Sequence, residues 1–282
     1  MAGGAAALAA CAPAEPSAEP VETASPDATE EVSRPQMNVI AGSFYHLTGE
    51  DRRLAFGLSD LDNEPVRSSD VRVEIRDVET GDVRSGPVTA DFHDDLGEGL
   101  GLYIAYVDLP EAGSFVAHVD TGEVEGEQAI SVNDPEDSEV PAPGDDAIAV
   151  ETPTTEDDLG LEALCTQDPP CGMHEMSLEE ALEEQLPIVL LFATPAYCQT
   201  AVCAPAVELL DEVRESSDWG DAVFIHAEIF IDNGVTVADH VYDWDLPSEP
   251  WLFAIDRDGR VADRVDGAIL RIDADKLTRE VT

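Results

Sequence analysis

The chain has 282 residues, of which 14 are Lys or Arg and 62 are Asp or Glu, giving a formal net charge of −48 with Lys276 as its single lysine. Such a chain repels nucleic acid and anionic membrane surfaces, so neither is expected as a partner. Acidic runs can signal disorder, but 43% hydrophobic residues and several periodic apolar segments predict folded domains joined by acidic linkers, under a solvated acidic surface.

The chain begins Met1-Ala-Gly-Gly-Ala-Ala-Ala-Leu8-Ala9-Ala10-Cys11 and continues into a Pro/Glu/Ser/Ala-rich stretch. Leu8-Ala9-Ala10-Cys11 matches the lipobox of bacterial lipoproteins, although a basic n-region and most of an h-region do not precede it. Residues 1–11 are therefore expected as a lipoprotein signal remnant and 12–36 as a disordered tether, with lipid on Cys11 holding the protein at the extracytoplasmic face of the cell membrane. No other apolar run approaches the length of a membrane span, so attachment would be by lipid alone. With Cys11 lipidated, Cys165, Cys171, Cys198 and Cys203 remain, an even number suited to an oxidising compartment. Three connectivities are open. The local pairings, Cys165 with Cys171 as a structural bridge and Cys198 with Cys203, are the natural ones.

From 37 to 133 the sequence reads as seven short segments with strand patterning, Met37–Ala41, Arg53–Leu58, Val71–Arg76, Val88–Phe92, Leu102–Val107, Ser114–Val119 and Gln128–Val132, with tight turns at Thr80-Gly81-Asp82 and Glu111-Ala112-Gly113. Their spacing predicts an antiparallel β-sandwich of immunoglobulin type. His46, His93 and His118 lie far apart and read as surface or packing histidines; no metal and no cofactor is expected. Residues 134–160, acidic and rich in Pro, Ser and Thr, read as a linker extended by its own charge.

The segment 161–282 alternates helical and strand signals. Ser177-Leu-Glu-Glu180 has the capping-box pattern, and Leu178, Ala181, Leu182 and Leu186 form a helical stripe. The apolar run 187–194 reads as a buried strand, and a helix with Ala206, Leu209, Leu210 and Val213 on one face follows Cys198. Strands are expected at 221–231, 251–255 and 260–265, and a closing helix at 272–281. A buried strand that delivers Cys198-Gln-Thr-Ala-Val-Cys203 to a helix start resembles a thiol redox site, because helix N-terminal amides stabilise a thiolate.

Met173-His174 with Ser177-Leu178, Phe192-Ala-Thr-Pro195-Ala-Tyr-Cys198, Phe224-Ile-His226-Ala-Glu228, Leu246-Pro-Ser-Glu-Pro-Trp251 and Asp256-Arg-Asp-Gly259 together resemble the thioredoxin-like superfamily, in particular extracytoplasmic domains of actinobacterial lipoproteins. The resemblance covers 161–282 and implies a C-terminal α/β thioredoxin-like domain there; with the N-terminal all-β immunoglobulin-like sandwich read from strand spacing at 37–133, the expected fold class is two domains. The resemblance also implies that Pro250 is cis and lies against the cysteine pair, with Cys198 attacking, Cys203 resolving and Pro250 forming the substrate-contacting wall.

Three departures shape what is expected of the site. Four residues separate the cysteines; on one continuous helix they would be rotated by about 140° and separated by about 7.5 Å of rise, so a disulfide requires Cys198 at or before the helix's first residue. Phe192 stands six residues before Cys198, where thioredoxins place a buried acid, which leaves Glu228, on the same strand face as His226, as the candidate proton acceptor. No Lys or Arg occurs between Arg84 and Arg214, so a local cation to lower a thiol pKa is absent.

The leading reading is thiol-disulfide exchange with protein thiols or disulfides of the cell envelope, by a monomer. Its alternative is a non-catalytic binding module in which both cysteine pairs are structural disulfides. A peroxiredoxin-like peroxidase, on Thr194-Pro195 before Cys198, and a copper-delivery role using Cys198, Cys203 and His226 or His240 are the remaining readings.

Overall fold

The computed structural model describes residues 34–96, 101–200 and 202–282; the Leu8-Ala9-Ala10-Cys11 motif and the tether to 33 lie outside them. Residues Arg34–Thr282 form one compact unit. Its first half holds nine strands: β1 (Asn38–Ala41), β2 (His46–Leu47), β3 (Gly49–Ser59), β4 (Arg72–Asp77), β5 (Val83–Thr89), β6 (Asp91–His93), β7 (Leu102–Leu109), β8 (Gly113–Asp120) and β9 (Glu125–Asn133). They make two sheets, ordered β1-β3-β7-β6 and β2-β9-β8-β4-β5. Period-two patterning explains the packing: Leu54, Phe56 and Leu58 of β3 and Tyr103, Ala105 and Val107 of β7 face Val73 and Ile75 of β4 and Phe115, Ala117 and Val119 of β8 across one core. All seven segments with strand patterning are strands, and the sandwich has immunoglobulin-like features. The expected strand 88–92 divides at buried Ala90, whose N–H bonds to Val71 O at 2.9 Å, so β5 joins one sheet and β6 the other.

The second half carries α1 (Leu178–Glu183), β10 (Ile188–Phe192), α2 (Cys203–Ser216), β11 (Val223–Ala227), α3 (Asp239–Tyr242), β12 (Trp251–Ile255), β13 (Val261–Asp266) and α4 (Arg271–Val281). Its sheet runs β11-β10-β12-β13, with β10 parallel to β11 and antiparallel to β12. β10 and β12 are buried at every residue, which is why IVLLF and WLFAI are continuous apolar runs rather than alternating ones. Val189, Leu191, Leu252 and Ala254 pack on α2 and α4. Ile188, Leu190, Phe192 and Phe253 pack on the opposite face with Trp244, Leu178, Val140 and Val150.

The structure corrects the expected fold class. Strand accounts for 35% and helix for 16% of the described residues, and an independent thioredoxin-like α/β domain at 161–282 is not what forms. The core of that region is completed from outside it, by Val140, Val150 and Tyr45, so the sheet does not close on its own sequence. The expected linker is corrected for the same reason. Val140, Ala142 and Thr152 are buried, and Gly144 and Ala147 donate to Val261 O and Gly259 O at 2.8 Å each, extending the sheet edge beside β13. The Arg264 guanidinium donates to Val140 O and Pro141 O at 2.8 and 2.9 Å.

The two halves are joined through a buried ion pair. Arg53 Nε donates to Asp273 Oδ1 at 2.7 Å, and its second nitrogen bonds Asp273 Oδ2 at 2.7 Å and Ala268 O at 2.6 Å; the two side chains are 11% and 2% exposed. Asp266 accepts from the Phe44 and Tyr45 N–H groups at 2.7 and 3.1 Å. Leu270 packs on Ala55 and Ile104, on the outer face of the β3-β7 sheet. Removing one partner of a buried pair leaves the other charge uncompensated. Arg53→Met should therefore lower the unfolding free energy by about 3–5 kcal/mol in urea denaturation, while Arg52→Met, whose guanidinium donates to Thr48 O, should cost less than about 1 kcal/mol; equal effects would show that the ion pair does not hold the halves together.

Candidate functional site

The carboxyl ends of β10 and β11 position the chemistry. After Phe192, the chain leaves the sheet through Ala193 and Thr194, and Cys198 N–H bonds back to Thr194 O at 3.0 Å. This turn keeps Cys198 outside α2, whose first residue is Cys203. A disulfide joins Cys198 to Cys203 across a Cα separation of 6.2 Å, within the span a disulfide bridges. Cys203 is fully buried and Cys198 half-buried. The Glu249–Pro250 peptide is cis and leads directly into β12.

Glu249, which the sequence reading passed over, is the titratable group beside this bridge. Its carboxylate lies within 4.8 Å of both sulfurs and accepts from the Thr194 N–H at 3.1 Å. Burial raises its pKa from 4.5 to about 7; the Thr194 N–H opposes the shift and the Glu228 charge adds to it. Glu228, the expected proton acceptor, is committed elsewhere: its Oε1 accepts from Thr166 N–H at 2.5 Å. The copper set is not assembled either. Cys198 and Cys203 are bonded to each other, and His240 Nε2 hydrogen-bonds Glu228 O at 2.8 Å.

Cys165 and Cys171 are free thiols, which corrects the expected structural bridge. Their sulfurs are 3.7 Å apart, and two histidines stand against them. Cys171 Sγ lies 3.3 Å from His174 Nε2 and 3.3 Å from His226 Nδ1, while Cys165 Sγ lies 3.7 Å from His226 Nδ1. All four donor atoms lie within 4.8 Å of one another. His226 thus serves this cluster and not the Cys198–Cys203 bridge. Cys171, His174 and His226 are buried and Cys165 is half-buried. The hydrogen bond shared with Cys171 pushes the Cys165 pKa well below the usual thiol range, with both histidines adding to the shift against the effect of burial. Cys171 is pushed up by the same hydrogen bond and by burial. His174 could have been found from the Cys171-x-x-His174 spacing; Glu249 left no comparable signal.

An apolar groove of about 400 Å³ runs beside the disulfide loop, lined by Ile40, Phe44, Gly57, Leu102, Thr200 and Val202. Its floor is the outer face of the β1-β3-β7 sheet, where Ile40 pairs with Gly57. Ile40 and Phe44 are 53% and 50% exposed, a contiguous apolar surface of the kind that marks interaction sites.

No family model matches the chain, and no curated protein does. Among solved structures it is similar to the Lin-41 filamin domain, at 14% identity and a TM-score of 0.24, over 36% of this chain and 97% of that one. It is similar also to the human B7-H4 IgV-like domain, at 14% identity and a TM-score of 0.22, over 35% of this chain and 96% of that one.

The raised Glu249 pKa has a stability consequence. A carboxylate whose folded pKa exceeds its unfolded value contributes stability below the unfolded pKa and loses it as pH rises through the folded one, here between 4.5 and about 7. Glu249→Gln should therefore gain stability over the parent above pH 7, on the order of 1 kcal/mol once solvent screening of a half-exposed group is allowed for, with no gain below pH 4.5. Chemical denaturation of both proteins at the two pH values checks the sign, and a pH-independent difference would contradict it.

Proposed function

We propose that this protein is a lipid-anchored extracytoplasmic binding module in which the Cys198–Cys203 disulfide is a structural staple, and the groove beside it takes an apolar segment of a partner protein. The observation that carries this reading is the groove itself, an exposed apolar surface walled on one side by the stapled loop. A bridge there fixes Thr200 and Val202 against the sandwich, which lowers the entropic cost of binding by pre-ordering one wall. The occupant we favour is an apolar segment flanked by basic residues, because a net charge of −48 attracts cationic partners. The Leu8-Ala9-Ala10-Cys11 motif supports the anchor, and no helix among the described residues is long and apolar enough to cross a membrane.

Glu249 favours a second reading, thiol-disulfide exchange with envelope proteins through a half-buried Cys198. A carboxyl that titrates near neutrality beside a disulfide can hand a proton to, or take one from, a departing sulfur. Ionised, however, the same group opposes formation of the thiolate that exchange requires.

Both readings are tested in one set of variants. A short labelled apolar peptide with lysine at each end should bind the parent protein. Filling the groove by Gly57→Met, where a Cβ makes only ordinary contacts with Leu102 and Ile40 at 3.5 and 3.8 Å, should weaken it at least tenfold, about 1.4 kcal/mol. Under the staple reading, Cys198→Ser and Cys203→Ser each cost about 2 kcal/mol of stability, on chain-entropy grounds for so short a loop, and trap nothing. Under the exchange reading, Cys203→Ser accumulates a mixed disulfide with a model substrate. Membrane partitioning that survives Cys11→Ser would remove the anchor.

A further inference from the structure

We propose that Cys165, Cys171, His174 and His226 are the four ligands of a structural zinc site. The four residues follow a Cys-x5-Cys-x2-His spacing with the last ligand on a distant strand, so their grouping is not apparent along the chain. The fold brings them together, and the separations match the edges of a coordination tetrahedron. With Zn–S of about 2.3 Å and Zn–N of about 2.05 Å, tetrahedral angles require sulfur-sulfur edges of about 3.75 Å and sulfur-nitrogen edges of about 3.55 Å. The sulfurs are 3.7 Å apart, and three of the four sulfur-nitrogen separations are 3.3, 3.3 and 3.7 Å, with the remaining donor pairs within 4.8 Å. A disulfide would instead need about 2.05 Å between the sulfurs.

Hydrogen bonding around the cluster selects the ligating form of His226. Its Nε2 lies 3.1 Å from Ala193 O, a carbonyl that only accepts, so Nε2 carries the proton and the Nδ1 lone pair points at the sulfurs. An outer partner that fixes tautomer and ring orientation is the usual support of a metal-bound histidine. The charge balance points the same way. Two thiolates beside the buried Glu228 carboxylate would be costly alone, whereas a divalent cation compensates them. As the ion binds, each cysteine releases its thiol proton to solvent and forms one metal-sulfur bond.

Two thiolates and two neutral imidazoles in tetrahedral array suit Zn²⁺. Four protein ligands leave no open position, which makes the site structural. The structural need is plain: residues 161–177, which carry three of the ligands, contain no helix or strand. The metal would tie this irregular segment to β11.

The full chain, purified under mild reduction with zinc and then dialysed, should retain one zinc per chain, and cobalt exchanged for it should show tetrahedral thiolate-cobalt absorption. Cys165→Ser and His174→Gln should each lower retained zinc at least tenfold, with the Cys198–Cys203 bridge and the circular dichroism of the same samples reporting whether the fold survives. Should a variant unfold, the cobalt spectrum of the parent decides alone. Absence of zinc with both thiols free, a Cys165–Cys171 disulfide in peptide maps of zinc-supplied protein, or exclusive retention of Cu(I) when both metals are offered would each overturn the assignment.

Discussion

The parallel pairing of β10 with β11 is the constraint on which both sulfur sites depend. It sets Phe192 level with Ala227, so the two strands end together and release their chains from one edge of the sheet. From that edge, Thr194 N–H reaches Glu249 and Thr194 O holds Cys198 N–H, while His226 on the neighbouring strand reaches back to Ala193 O. His226 N–H also holds Met173 O at 2.8 Å, which draws the Cys171 to His174 segment onto β11. β10 owes its position to burial: Val189 and Leu191 on one face, Ile188 and Leu190 on the other, are removed from water entirely, about 1.5–3 kcal/mol for each such side chain. A one-residue slip of β11 would turn His226 to the opposite face and separate it from the cysteines.

Electrostatics divides the two sulfur pairs. In an acidic chain a free thiolate is disfavoured by its neighbours, and each pair escapes that penalty differently. Cys198 and Cys203 form a neutral disulfide, beside which Glu249 is itself half-neutral near pH 7. Cys165 and Cys171 stay unbridged and lie against two imidazoles. The separation between these fates is geometric. Cys198 sits in a turn free to bring its sulfur to Cys203, whereas Cys171 is held between His174 and His226, with its sulfur committed to their nitrogens.

The sandwich was legible because each strand has one face in the core, so period two is written directly in segments such as Leu54, Phe56 and Leu58. β10, β12 and α2 were legible as a continuous apolar run, a second such run after Pro250, and the Ala206, Leu209, Leu210, Val213 stripe. The segment 134–160 was not, because backbone hydrogen bonds to β13 and the few apolar residues Val140, Ile148 and Val150 secure it, without any period. That packing also defeats a domain boundary at 161. The disulfide loop could be read from its spacing, since a regular helix through both cysteines excludes the bond. The cysteine-histidine cluster could not, because its fourth ligand lies 52 residues beyond His174 and arrives only through strand pairing. Glu249 carries no spacing signal, because only the turn before β12 brings its carboxylate beside the bridge.

The groove exists because the second half covers only part of the sandwich. Leu270 seals Ala55 and Ile104 on the outer face of β3 and β7, and Ala268 N–H bonds to Gly42 O at 2.7 Å, closing one end of the exposed strip. Gly267 makes this approach feasible: its φ is +73°, and a Cβ there would run into the Gly42 carbonyl. Beyond that contact Gly57 contributes no side chain, so the sheet surface between Ile40 and Leu102 stays open, while Thr200 and Val202 stand over it from the stapled loop. One wall therefore comes from the sandwich and the other from the start of α2. Neither half has the groove by itself, since its lining is drawn from both.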